Sequence, residues 1–159
     1  MMITQSEAEA LLAMQKKRET DERYSFPISG EFLTMPIISI DEREKFLIDV
    51  NRKGKFRLTR CAYQERYMRV IVLVRLDING SPHDNPELYS GIIDSLVPYS
   101  GQTIECPHLH LYIEGFDDKW AIPAPTSEFS KNDDLYATLD DFFRYCKVVE
   151  PPIVERGLF

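Results

Sequence analysis

The run Val70-Ile-Val-Leu-Val74, set between Arg69 and Arg75, limits the fold more than any other stretch. Five apolar residues with no helical spacing around them read as a short extended segment. Such a strand is apolar on both faces, so it belongs in the interior of a sheet with both sides covered. The reading places it in one long strand between Tyr63 and Asp77, ended by the turn signal Asn79-Gly80. Further strands are predicted at 32–40, 46–50, 55–60, 107–114 and 119–122. Pro36 makes the first of these an edge or bulged strand. The links Asn51-Arg-Lys-Gly54 and Gly115-Phe-Asp-Asp118 are of hairpin length, which favours antiparallel pairing, because a parallel crossover needs roughly a dozen residues.

Two helices flank these strands. Thr4-Gln-Ser-Glu7 is a capping box that opens a helix over 5–23, with a thin stripe of Leu11, Leu12 and Met14 and with Lys16, Lys17 and Arg18 late, where cations suit the helix dipole. A second helix over 132–146 carries Asp133 and Asp134 in its first turn and Leu135, Leu139, Phe142 and Phe143 on one face. Segment 84–105 reads as a long insertion or lid, and the tail 148–159, with Pro151-Pro152, as loose. The expectation is a single α+β domain over residues 1–159: one antiparallel sheet of five or six strands, with an N-terminal and a C-terminal helix on one face.

Composition narrows the function. The longest apolar run is the one above, far short of the roughly 20 residues that span a bilayer, so no membrane partner is expected. The first residues lack a basic stretch followed by an apolar one, which speaks against secretion. Cys61, Cys106 and Cys146 are widely spaced and odd in number, which fits reduced, buried thiols in a cytoplasmic protein. A net charge of -7 opposes general coating of nucleic acid. Yet residues 52–75 hold Arg52, Lys53, Lys55, Arg57, Arg60, Arg66, Arg69 and Arg75 against one acid, Glu65. A local site for RNA or another phosphate-bearing ligand is compatible with that distribution.

His108 and His110 alternate along one strand face, roughly 7 Å apart by strand rise, with Tyr112 beside them and Leu109, Leu111 and Ile113 opposite. His83 enters from the loop after the neighbouring strand. One reading is acid–base catalysis at a phosphodiester, as in a toxin-like endoribonuclease. His108, His110 and His83 are its catalytic groups, Arg66, Arg69 and Arg75 hold the phosphate, and Tyr63, Tyr67, Tyr112 and Asp77 support them. An alternative is a metal-dependent hydrolase in which His83, His108 and His110 hold a divalent metal, with Asp77 or Glu114 completing the set. No other cofactor is expected. A third reading is a non-enzymatic binding protein, antitoxin-like or an anti-defence factor, whose acidic parts contact a basic protein partner. The plain structural reading is that arginines and tyrosines on strands pair across the sheet. Nothing in the sequence sets an oligomeric state.

Three segments carry a resemblance: Arg-Leu-Asp-Ile-Asn-Gly-Ser-Pro-His-Asp-Asn-Pro at 75–86, Cys-Pro-His-Leu-His-Leu-Tyr-Ile-Glu-Gly at 106–115, and Asp-Lys-Trp-Ala at 118–121. The chain resembles, from about Glu42 to Phe143, a family of small bacterial and phage proteins without an established activity. The resemblance therefore implies no catalytic residues. The link 87–104 is longer here than the Asn-Pro-Asp-Gly link of that family. A looser likeness, at the level of fold, is to small ribonuclease toxins.

Overall fold

The computed structural model describes residues 2–54, 59–88, 90–131 and 133–157. Helix α1 (Gln5–Ala13) starts at the capping box, with Thr4 Oγ1 accepting from Glu7 N and Glu7 accepting from Thr4 N. There follow β1 (Lys16–Arg18), β2 (Arg23–Ser25), β3 (Phe32–Ser39), β4 (Lys45–Asn51), β5 (Cys61–Tyr67), β6 (Ile71–Ile78) and β7 (His83–Asp84). A 3-10 helix (Asp94–Tyr99), β8 (Thr103–Ile104), β9 (His108–Ile113) and β10 (Asp117–Pro123) lead to helix α2 (Leu135–Tyr145), capped by Asp134, and then to β11 (Val148–Glu150) and β12 (Ile153–Glu155).

Among the described residues, eight strands form one sheet in the order β10-β9-β6-β5-β4-β3-β1-β11. Every pair in it is antiparallel save β1 with β11, which run parallel. β2 and β12 make a parallel pair, and β7 and β8 an antiparallel one. The sheet is thus large and mixed, and the expected single antiparallel sheet of five or six strands is overturned.

Three local causes account for the difference. The predicted long strand between Tyr63 and Asp77 is a hairpin, because the chain reverses at Met68 and Arg69, both with positive φ (51° and 68°). The predicted helix 5–23 ends at Ala13: beyond Met14 it has no apolar stripe to bury, and Lys16–Arg18 instead pairs with β3 and β11. The tail expected to be loose supplies β11 and β12, and so closes the sheet edge beside β1. Residues 55–58 of the predicted strand 55–60 lie outside the described residues.

Pro36 sits in an interior strand rather than at an edge. Its carbonyl accepts from Glu19 N, so its missing N–H faces the side where β1 has already ended at Arg18. Segment 84–105 is fastened down: Asn85 exchanges hydrogen bonds with both backbone groups of Ala121 on β10 and donates to Tyr99 O, and Leu96 packs with Trp120 and Ile113.

Register gives the sheet two distinct faces. Val50, Tyr63, Leu76 and Leu109 are paired in one row, and Ile48, Glu65, Val74 and Leu111 in the next. This face receives α1 and α2, whose Ala8, Leu11, Leu139 and Phe142 join the main core. The opposite face carries Thr34, Asp49, Gln64, Arg75 and His110 in one row, and Asn51, Ala62, Asp77 and His108 in the next. β6 is not covered evenly as expected: Val72 on this polar face is half-buried, and Val70 lies in the turn at 68% exposure.

Candidate functional site

Directly paired residues of an antiparallel sheet hold their Cβ atoms about 4.5–5.5 Å apart. The pairings Arg75 with His110 and Asp77 with His108 therefore gather four functional side chains on two adjacent strands. His83 joins them from β7. Its ring stands edge-on to His110 with centroids 4.5 Å apart, and lies 6.1 Å from that of His108; His108 and His110 are 4.9 Å apart. All three predicted histidines converge, and the guanidinium beside them is that of Arg75.

Each ring is oriented by a backbone carbonyl. His108 Nδ1 lies 3.1 Å from Ile104 O, His110 Nδ1 2.8 Å from Asp118 O, and His83 Nε2 2.7 Å from Lys119 O. A carbonyl only accepts, so each of these nitrogens carries the proton. The remaining nitrogens of the two buried rings face one carboxylate: His108 Nε2 is 2.9 Å and His110 Nε2 3.3 Å from Asp77 Oδ2. Arg75 Nε donates to the other oxygen, Asp77 Oδ1, at 3.2 Å. Arg75 Nη1 reaches Asp118 Oδ2 at 2.8 Å, and Nη2 lies 3.0 Å from His110 Nε2.

The electrostatics follow from these contacts. At Asp77 burial opposes ionisation, but the hydrogen bond from His108, the close His110 ring and the charge of Arg75 hold the carboxyl well below the usual range. At His108 burial favours the neutral ring, and the bonds to Asp77 and Cys106 outweigh it, raising the group to about 9. Burial pulls His83 below its ordinary value, and the nearby His110, His108 and Arg75 add to that.

The site opens into a polar pocket of about 210 Å³ between Gly80–His83 and the histidine strand, walled also by Arg60, Cys61 and Ala62. Arg60, not singled out from the sequence, is the second guanidinium there. The sequence marks it only as one member of a basic run. The three ring-orienting carbonyls also have no sequence signature, since any residue supplies one.

Other predicted residues lie elsewhere. Arg66 shares the polar face but is committed to Asp49 through Nε (2.6 Å) and Nη2 (2.8 Å) and to Arg69 O through Nη1. Arg69 is exposed in the β5–β6 turn, at the far end of β6 from Asp77. Tyr63 points into the core and donates to Leu135 O. Tyr67 donates to Glu44 Oε2, and Tyr112 donates to Ile3 O and packs in the main core. The tyrosines are therefore not part of the pocket, and Glu114 binds Gln5 N at the start of α1 instead of joining Asp77. The ligand-reach group is Asp77, His108 and His110, with one donor atom of each within 4.8 Å of the others. It differs from the three-histidine set expected because His83 turns its Nε2 to Lys119.

Fold and cluster together define a protein with two helices on one face of a mixed eight-stranded sheet and a His–His–Asp group on the other. A family model matches residues 3–148, and the chain belongs to that family, DUF6978, a family of unknown function. The match reaches further toward both ends than the segment-based resemblance. No curated protein and no solved structure matches the chain. Among the described residues no helix is long and apolar enough to cross a membrane.

Proposed function

We propose that the protein is a metal-dependent hydrolase of phosphate esters, with Asp77, His108 and His110 as metal ligands. The observation that carries this is the way the two buried rings are anchored. Each gives Nδ1–H to a backbone carbonyl and so aims Nε2 at the same carboxylate oxygen. Metal-binding histidines are oriented by such a partner on the second nitrogen. The separations of 2.9 and 3.3 Å from His108 Nε2 and His110 Nε2 to Asp77 Oδ2 are those of neighbouring ligands around one ion at metal–ligand distances of about 2.0–2.2 Å. Two imidazoles and one carboxylate suit zinc, iron or manganese, and three protein ligands leave positions for water and substrate.

The same geometry disfavours the two buried rings as free acid and base. Both nitrogens of His108 already face acceptors, and His110 Nε2 is met by Arg75. Neither ring has a proton to spare for a ligand.

A bound divalent ion supplies Lewis acidity toward a phosphoryl oxygen and lowers the pKa of a bound water. The chain's own groups do the remaining work. Arg75 keeps Asp77 Oδ1 engaged so that Oδ2 serves the site. Its guanidinium matches phosphoryl oxygens in shape and charge. His83, which lines the pocket, has Nδ1 to accept a hydrogen bond from the attacking water. In the hydrolysis the water oxygen bonds to phosphorus, the bond to one ester oxygen breaks, and that oxygen leaves with the proton the water gives up.

The test is equilibrium dialysis of the full chain against zinc, manganese and ferrous ions, followed by elemental analysis. The expected result is one ion per wild-type chain and none in His108→Ala or His110→Ala variants that keep their circular dichroism. Wild-type protein that takes up no ion, or folded variants that retain it, overturns the assignment.

A further inference from the structure

We infer that the pocket is built for a phosphodiester, with Arg60 as the group that receives the phosphate. This deepens the hydrolase reading above and rests on it for the chemistry, though not for the binding.

The first observation is Arg60 itself. It is half-buried and makes no hydrogen bond or ion pair among the described residues, in a chain with 26 acids and 19 bases. Other arginines on this face are matched: Arg66 with Asp49, and Arg75 with Asp77 and Asp118. The Arg60 side chain runs past two glycines. A Cβ on Gly54 would come within 2.7 Å of Arg60 Cδ, and one on Gly80 within 3.8 Å of its Nε. The loop backbones leave it the room it occupies.

The second observation is the shape of the space. A further polar pocket of about 230 Å³, lined by Asn51 and Gln64, shares Arg60, Ala62, Arg75 and Asp77 with the 210 Å³ pocket beside the histidines. The two lobes meet where the two guanidinium groups stand. A phosphate held there has a lobe on each side, one reaching the His–His–Asp group and the other the amides. In-line displacement places attacking and departing oxygens on opposite sides of phosphorus. A diester fills both lobes with its two substituents, whereas a monoester leaves one empty. The tyrosines point elsewhere, so the substituents meet the histidines in one lobe and the amides in the other, with no tyrosine ring to stack on. Small diesters and nucleic-acid backbones share this chemistry.

The experiment is calorimetric titration of the protein in EDTA with three probes: bis(p-nitrophenyl) phosphate, p-nitrophenyl phosphate and an RNA dinucleotide. Charge alone favours the monoester, so tighter binding of bis(p-nitrophenyl) phosphate supports the second lobe, and equal or weaker binding overturns it. Arg60→Met is expected to lower diester affinity by roughly tenfold or more, with part regained in Arg60→Lys. Unchanged affinity in Arg60→Met overturns the role of Arg60. Asn51→Leu is expected to weaken the diester and spare the monoester; equal effects on both count against the lobe. Dinucleotide binding at least as tight as that of the small diester identifies a nucleic-acid source, and its absence identifies a small diester. Arg60-dependent diester binding together with failed metal uptake leaves this inference standing and removes the hydrolase reading.

Discussion

Asp49 accepts hydrogen bonds from Thr34 Oγ1, Gln64 Nε2 and both Nε and Nη2 of Arg66, while only 1% exposed. A buried carboxylate is costly unless its oxygens are satisfied, and here four donors from three side chains on β3 and β5 satisfy them. The residue thereby clamps β3, β4 and β5 across the polar face. Asp49→Ala is expected to cost about 3–5 kcal/mol, because it strands Arg66 and two polar groups. The double variant Asp49→Leu, Arg66→Leu is expected to recover much of that loss. Urea unfolding of the two variants checks this; a single variant within 1 kcal/mol of wild type, on the scale of surface substitutions of about 0.5 kcal/mol, removes the clamp. Asp77 is held on the same principle, with Arg75, His108 and His110 as its partners.

The β5–β6 hairpin is the element the sequence conceals. Two-residue hairpin turns want positive φ at both central positions, which Asn-Gly adopts at little cost. The link here has three residues, Met68 to Val70, between the paired Tyr67 and Ile71; Val70 N donates to Tyr67 O, and Met68 and Arg69 take the central positions of that turn with φ of 51° and 68°. Each non-glycine residue in that region costs of order 1 kcal/mol. The turn persists because its flanking strands are tied into the sheet on both outer edges, β5 to β4 and β6 to β9. Replacing Met68-Arg69 with Asn-Gly is expected to raise stability by about 1–2 kcal/mol and the melting temperature by several degrees. A lowered melting temperature in that variant contradicts the account of the turn. Helix α2 is the opposite case: Asp134 caps it by accepting from Tyr136 N and Ala137 N, and its apolar face meets the core as its spacing requires.

Across the whole molecule, Lys16 and Glu65 join the N-terminal strand, the middle of the sheet and the end of α2. Both side chains are fully buried, with Lys16 Nζ 3.0 Å from Glu65 Oε1 and donating to Leu12 O and Cys146 O. The contact to Glu65 lies off the hydrogen-bond line, so charge rather than an aligned bond holds the pair. Burial raises Glu65 from its ordinary 4.5 to about 7, against the pull of Lys16. With the folded value above the unfolded one, its contribution to stability is complete below about pH 4.5 and is lost as pH rises through about 7. Relative to Glu65→Gln, which cannot ionise, the wild type is expected to lose of order 3 kcal/mol across that window. Thermal melts of both proteins from pH 4.5 to 8 test this; parallel pH profiles would exclude Glu65 as the titrating group.

What the residues determine by themselves is local. The capping box starts α1, the apolar spacing makes α2, and alternation over residues 108–110 places His108 and His110 on one side of β9 away from Leu109, although it does not hold as far as Tyr112, which joins the core. Each needs only neighbours three or four positions away, or the period-two pleat of a strand. The convergence of His83 on that strand, the choice of Asp77 over Glu114, and the removal of Arg66 and the tyrosines from the site depend on which strands lie side by side. Strand order also turns the charged run Lys16–Arg18 into an interior strand and the proline-rich tail into the opposite edge. Pairing between residues more than a hundred positions apart is decided by burial and backbone hydrogen bonding in the assembled sheet. No local pattern encodes a partner that distant.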